Sequence, residues 1–353
     1  MSRQTIRGAA SASWVAILAI LLLAQLRPAG AAGDAVLRMK PVAIPIIGGK
    51  GGIGFDDMGY STDLRRVVVP AGRIGAIAFI DPFNLKFDWI SGFTRSEKPG
   101  LGHDESVTSA STGPGFILAT DRTARRLYVI NARTGKSESA APLAGGPDYV
   151  RYVAPTHEAW VTEPEDSRIE VFSLSRRTPP VATHSRFVDI PGGPESLVVD
   201  VATKRAYSNL WKDATLEIDL TTGKTTRWPN GCAGSRGLAI DAARDRLFVG
   251  CAEGKLSVLD LKTGKQLGAV SSGNGVDIIA YNPNLAHVYM PGAKSGTMAI
   301  VGIDSDGAPK ILGTEKTPLG AHCVAADFRQ GVYVCDPRGG NLLFYLDQYP
   351  ASI

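Results

Sequence analysis

Seven ionisable side chains recur along this chain at one step of a repeat. Counting back 12 residues from the apolar anchors Val68, Ile117, Trp160, Tyr207, Phe248 and Tyr289 reaches Asp56, Glu105, Asp148, Glu195, Arg236 and Asp277; counting back 11 from Tyr333 reaches His322. The anchors lie 41 to 49 residues apart, and only 20% of the chain is Asp, Glu, Lys or Arg, so a titratable residue in every slot is a pattern. Brought to one place, five carboxylates, a guanidinium and an imidazole have three outlets. Crowded carboxylates raise one another's pKa or demand a cation. Ca2+ or Mg2+ would suit their oxygens, and a cationic small molecule would serve as well. An imidazole beside a guanidinium is also the material of a general base and an oxyanion stabiliser. The third outlet is internal ion pairing, with no ligand at all.

The element that must gather these residues is a unit of about 44 residues, clearest over 236–270. It reads RGLAID, a turn, RLFVGC, a turn, KLSVLDL, the turn KTGK, then QLGAV. Alternating apolar residues and Gly- and Asp-bearing turns make this a meander of four short antiparallel strands. The layout returns at 195–227 (ESLVVD, RAYSN, TLEIDL), at 148–174 (DYVRYV, EAWVT, RIEVFSL) and near 103 (HDESVTSA, FILATD, RRLYVIN). One such sheet cannot bury its own faces, and radial repetition supplies the neighbours. The expected fold is therefore all-β: a seven-bladed β-propeller of four-stranded antiparallel blades. The last repeat is one strand short after Leu342–Leu346, while Ala35–Ile47 is strand-like and precedes the first blade. The N-terminal strand is expected to complete the last blade and fasten the ring.

Composition sets the surroundings. Forty Gly and 22 Pro suit many tight turns, and no low-complexity tract interrupts residues 35–353, read as one domain. Residues 1–31 read as a cleavable signal peptide: Arg3 and Arg7, the apolar stretch Trp14–Leu26, then Ala29-Gly30-Ala31. Thirteen apolar residues are short for a membrane span, although a retained anchor is the competing reading. The expected location is periplasmic or secreted. Removing Arg3, Arg7 and Arg27 leaves 35 basic and 34 acidic side chains, a net charge of +1. That gives no drive toward nucleic acid or membrane, and a monomer is expected. Four cysteines remain: Cys232, Cys251, Cys323 and Cys335. In an exported chain they read as two disulfides, with three connectivities open and the local pairs 232–251 and 323–335 preferred. A zinc site is the rival, without CxxC or HxxxH spacing to support it.

The stretch LFVGCAEGKLSVLDLKTGK (247–265), with AYSN (206–209) and VYVC (332–335) on the second strand of their repeats, resembles the YVTN-type, YncE-like seven-bladed propellers. The resemblance spans essentially the whole mature chain and implies a fold more than an activity. It implies that each blade's first strand lies innermost, so that the seven residues face a central channel. In placement the ring is also similar to those of the calcium-dependent lactonase and phosphotriesterase propellers. That likeness implies a metal on Asp148, Glu195 and Asp277, His322 as base and Arg236 as oxyanion partner. Those enzymes use Asn at two ring positions, and none stands there in this chain. The streptogramin lyases, with a channel His and Mg2+, are a further analogue for His322. The reading from sequence is an exported module binding a cation or small polar ligand, or serving as an interaction scaffold; the alternative is a metal-dependent hydrolase or lyase on the same ring. The GxGxxG match at 49–54 lacks a following helix and is set aside. His157, His184 and His287 are expected at solvated turns or strand starts. Trp160, Trp211 and Trp228 are expected to pack between or cap the sheets. Asp57 and Asp104 are the alternatives should the register be off by one.

Overall fold

The computed structural model describes residues 39–98 and 103–352; the signal-peptide reading and the first residues of the expected closing strand lie outside them. Each repeat folds as a meander because its turns carry the residues that reverse a chain: Asx turns at Asn131, Asp219 and Asp260 accept backbone N–H groups two and three residues on. The result is seven antiparallel four-stranded sheets, blades 1 to 7 in chain order. Their innermost strands are Gly59–Ser61, Val107–Gly113, Val150–Val153, Glu195–Asp200, Ser235–Asp241, Ala280–Asn282 and Val324–Ala326. Among the described residues the helical pieces are two three-residue turns, Pro164–Asp166 and Ala242–Arg244.

Blade 7 closes as the sequence suggests. Val42–Pro45 pairs antiparallel with Asn341–Leu346, Val42 opposite Phe344 and Pro45 opposite Asn341. Pro45 has no N–H to give, which an outermost strand tolerates. Ile44 and Ile46 turn inward and are buried. The glycine-rich run that follows has no helix after it and is clamped by Arg73, which donates to the carbonyls of Gly48, Lys50 and Gly52. Gly49 lies so close to Gly340 that a Cβ there would meet its carbonyl oxygen at 2.1 Å.

The second strand of every blade is the hub of the packing. All seven anchors lie on one, and all are buried. Seven apolar clusters fill the seven gaps between neighbouring blades, the last joining Tyr333 of blade 7 to Val67 and Val69 of blade 1. Fully burying one such side chain stabilises the fold by about 1.5–3 kcal/mol. Six anchors pack toward the next blade, whereas Ile117 packs back onto Val68, Ile77 and Phe79 of blade 1. Its neighbours Phe116 and Leu118 are the ones that face blade 3. Blade 2 was therefore read one residue out of phase, and a one-residue slip turns a strand's side chains to the opposite face.

Both local disulfides form, Cys232–Cys251 and Cys323–Cys335, 19 and 12 residues apart in sequence. The first cysteine of each pair stands just ahead of its blade's innermost strand and the second lies on the second strand. His287 corrects its expectation: it is fully buried, its Nδ1 2.7 Å from Asp347 and its Nε2 3.1 Å from the Pro350 carbonyl, while Tyr289 donates to the same carboxylate. This group ties the C-terminal segment to blade 6.

Candidate functional site

The innermost strands line a central channel, and the segments that enter them ring one of its mouths. A cavity of about 380 Å³ opens there, lined among others by Asp56, His103, Asp104, Arg122, Pro147, Asp148, Pro164, Glu195, Trp211 and Asp277. Backbone contacts set these positions. The Asp148 amide donates to the Thr162 carbonyl of its own second strand, and the Asp57 amide reaches Thr108 of blade 2. Gly237 lets blade 5 press against the entry of blade 6: its amide donates to the Asp277 carbonyl at 2.8 Å, and a Cβ would stand 2.5 Å from that oxygen. The Ile278 amide in turn donates to the His322 carbonyl.

Four of the seven expected residues, Asp56, Asp148, Glu195 and Asp277, line this cavity. Arg236 and His322 stand beside it, close enough for both to favour the ionised form of Asp277. Glu105 does not join them and is exposed: the first hairpin of blade 2 has two residues between its strands where the other blades have four, so Ile117 pairs with Thr112, five residues back, and Trp160 and Phe248 with residues nine back. Its place is taken by two residues that the repeat did not point to, His103 and Arg122. Arg122, from the turn after the second strand of blade 2, pairs with Asp148 and also donates to the carbonyls of Pro147 and His103 and to Asp104. Trp211 corrects its core assignment: it is 45% exposed at the rim, and its indole N–H donates to Glu195 at 2.8 Å. Trp160 and Trp228 are buried as expected.

Burial and crowding raise the carboxyls of the mouth. Burial above all, then Asp56, raises the Asp148 carboxyl well above the usual range despite Arg122. Burial and the nearby Asp277 push Glu195 up to about 7, against the pull of Arg236 and the Trp211 N–H. Burial also raises Asp277, which His322 opposes and Asp56 reinforces. The Asp56 carboxylate beside it pushes His103 up to about 9; with its side chain 44% exposed at the rim, solvent screens part of that attraction. Asp56 itself is 4% exposed, and its Oδ2 accepts no hydrogen bond. The nearest cations to that oxygen are His103 Nδ1 at 3.6 Å and Arg122 Nη2 at 3.9 Å.

The expected metal set, Asp148, Glu195 and Asp277, is not drawn together. Among the described residues, three His, Cys, Asp or Glu donors lie within 4.8 Å of one another only at His322–Cys323–Cys335 and Cys232–Cys251–Glu253. In both, the sulfurs are spent in disulfides. His322 is also committed: its Nδ1 lies 2.8 Å from the Gly320 carbonyl and its Nε2 2.9 Å from that of Phe55, so neither nitrogen is turned to the cavity. Arg236 donates to the Ser235 carbonyl. Deeper in the channel, Arg151 makes a two-pronged pair with Asp57 at 2.5 and 2.8 Å, and Ser109 donates to the same carboxylate. That pair borders a second cavity of about 280 Å³ reaching toward Tyr281 and Phe328.

The chain is similar in fold to several solved structures. A chain of Kuenenia stuttgartiensis hydrazine synthase aligns with 12% identity and a TM-score of 0.67, over 90% of this chain and 99% of its own. A chain of the mitotic checkpoint complex aligns with 12% identity and a TM-score of 0.69, over 93% and 99%. The β-propeller domain of Myceliophteria thermophila Cps50 (Swd1) aligns with 10% identity and a TM-score of 0.65, over 84% and 97%. At such identities the likeness concerns the fold alone: the chain is a seven-bladed β-propeller. No protein-family model matches the chain, and no curated protein matches it in sequence.

Proposed function

We propose that this chain is an exported β-propeller whose channel mouth binds a positively charged ligand and performs no chemistry on it. The observation that carries the reading is the crowding of carboxylates at the mouth. Four carboxylates, Asp56, Asp148, Glu195 and Asp277, line one 380 Å³ cavity open at the channel mouth, with His103 and Arg122 beside Asp56 as the nearest cations. Burial and mutual repulsion raise Asp148, Glu195 and Asp277, and a bound cation would favour their ionised forms. Two disulfides, and the absence among the described residues of a helix long and apolar enough to cross a membrane, accord with a periplasmic or secreted location. The seven-bladed fold is what membership of the YVTN-type group requires and is consistent with a scaffold that docks partners. The hydrolase or lyase reading draws less support, because the His322 nitrogens are held by backbone carbonyls.

The test is calorimetric titration of the purified protein, at low ionic strength and in amine-free buffer, with CaCl2, MgCl2 and n-butylammonium chloride. Wild type should bind at least one of them, and the Asp56→Asn/Asp277→Asn double variant should bind it at least tenfold more weakly. A protein that binds none, or a double variant that binds as well as wild type, would overturn the proposal.

A further inference from the structure

We infer that Glu163 and Glu170, buried side by side in blade 3, form a proton-operated latch on Leu143–Gly146, the segment that enters the channel mouth at Pro147 and Asp148. The inference stands on groups outside the mouth cavity and holds whatever the mouth binds. Strand register sets the pair. Glu163 ends the second strand of blade 3, and Glu170 lies on the third strand opposite Val161. Residues two apart on a strand share a face, so Glu163 is the diagonal neighbour of Glu170, within reach of long side chains. That face turns toward blade 2, where Val161 and Phe172 pack with Leu143. The two side chains are 0% and 3% exposed.

Between them the two carboxyls take consecutive amides of the segment. Glu170 Oε2 accepts from the Ala144 N–H at 2.9 Å, and Glu163 Oε1 accepts from the Gly145 N–H at 2.7 Å. Glycine is needed at 145, because a Cβ there would run into Asp166 and stand 2.8 Å from the Glu163 carboxyl carbon. Two residues on, the Pro147 carbonyl accepts from Arg122, and Pro147 and Asp148 line the mouth. The charged groups that contact the pair come from blade 3. Arg168 donates to Glu163 Oε2 at 2.6 Å and lies 3.7 Å from Asp166, and His184 Nδ1 stands 2.9 Å from Glu170 Oε1. On the blade 2 side Leu143–Gly146 carries no charge, and the exposed Arg125 and Arg126 pair with neither carboxyl. A carboxyl and a carboxylate so placed share a proton, whereas two carboxylates repel. Burial first, and the hydrogen bond to Glu170 next, push Glu163 up to about 7. A folded value above the ordinary 4.5 means that the hold is complete below about pH 4.5 and is lost as the pH climbs through 7. The segment is therefore clamped in mildly acidic solution and released above neutrality.

Hydrogen exchange of the full protein at pH 6 and pH 8, corrected for the intrinsic pH dependence of amide exchange and read at Ala144 and Gly145, tests the latch. A carboxyl at about 7 when closed and 4.5 when open shifts the opening equilibrium about tenfold between those two pH values. Protection of both amides in wild type should fall by about that factor. The Ala233 and Gly234 amides, held by the single carboxylate of Glu253, are the internal control and should change less than about threefold. Glu170→Gln and, independently, Glu163→Gln keep an acceptor for the amide and offer an N–H to the remaining carboxylate. Each should hold the change at Ala144 and Gly145 under about threefold, and whichever of them folds decides the matter. Glu195→Gln, at the mouth, and His184→Gln, which leaves both carboxyls in place, should respond as wild type does. The inference is overturned by a wild type whose protection does not fall, or falls equally at the control amides. A fall that persists in a folded Gln variant of the pair overturns it too, as does one that vanishes in Glu195→Gln or His184→Gln.

Discussion

Raising the pH should destabilise the ligand-free protein through Glu195. In the folded chain its carboxyl rises to about 7 from an ordinary 4.5, burial first and Asp277 second, with Arg236 and the Trp211 N–H opposing. The native state therefore holds a proton that the unfolded chain releases between those two values. Stability from this group is fully present below about pH 4.5 and is lost as the pH climbs through 7. From pH 5 to 7, at 1.36 kcal/mol per tenfold change in proton concentration, the loss is at most about 3 kcal/mol. Solvent at the mouth reduces it to roughly 2 kcal/mol, on the order of 4 °C in Tm for a domain of this size. His103, pushed up to about 9 by Asp56, loses its stabilisation in the same direction but above its ordinary 6.5. Comparison with Glu195→Gln, which keeps an acceptor for the Trp211 N–H, cancels that second contribution. Calorimetric melting of both proteins at pH 5 and pH 7, in buffers free of amines and divalent ions, should show wild type losing about 4 °C relative to the variant. Parallel losses, or a wild type that gains on the variant as the pH rises, would refute the charge crowding on which the site is argued.

Three further outcomes follow from the packing. Tyr333→Ala empties the joint between blades 7 and 1, where the ring packs with Val67 and Val69, and should cost about 3–5 kcal/mol in denaturant unfolding. Replacing Cys323 and Cys335 together by Ala opens a loop of 12 residues and should lower stability by roughly 3 kcal/mol, read from the urea midpoint of the variant against wild type. Ile44→Asp places a charge at a buried position of the strand that completes blade 7. It should cost at least about 3 kcal/mol and speed proteolytic cutting of the segment around Val42–Pro45 at temperatures where wild type resists.

The architecture was legible because a propeller repeats its chemistry. The second strand of each blade is buried on both faces, so a large apolar anchor such as Tyr207 or Phe248 marks it without any knowledge of its neighbours. Closure was legible too, since a blade lacking a strand and a strand lacking a blade stood at opposite ends of the chain. The failures came where one residue of phase mattered. In blade 2, Phe116, Ile117, Leu118 and Ala119 are all apolar, so the sequence does not say which of them turns toward blade 3. The count also assumes turns of equal length, and the two-residue turn of blade 2, where the other blades have four, carries it onto the exposed Glu105.

What the repeat could not carry at all is the part of the mouth that does not repeat. Arg122 comes from a turn between second and third strands, and its guanidinium must travel to reach Asp148 and the carbonyls beneath. No period marks such a residue, because the other blades put other groups there: Trp211 in blade 4, and Pro164 and Glu165 in blade 3. The two halves of the site thus obey different rules. Backbone repetition gathers carboxylates on the axis whether or not anything binds them, and the turns decide which are neutralised from within. Asp148 has Arg122, Glu195 has an indole N–H, and Asp56 faces His103 at 3.6 Å and Arg122 at 3.9 Å. Specificity in this fold should therefore be sought where one blade departs from the others, and here that is at the turns that bring Arg122 and Trp211 to the mouth.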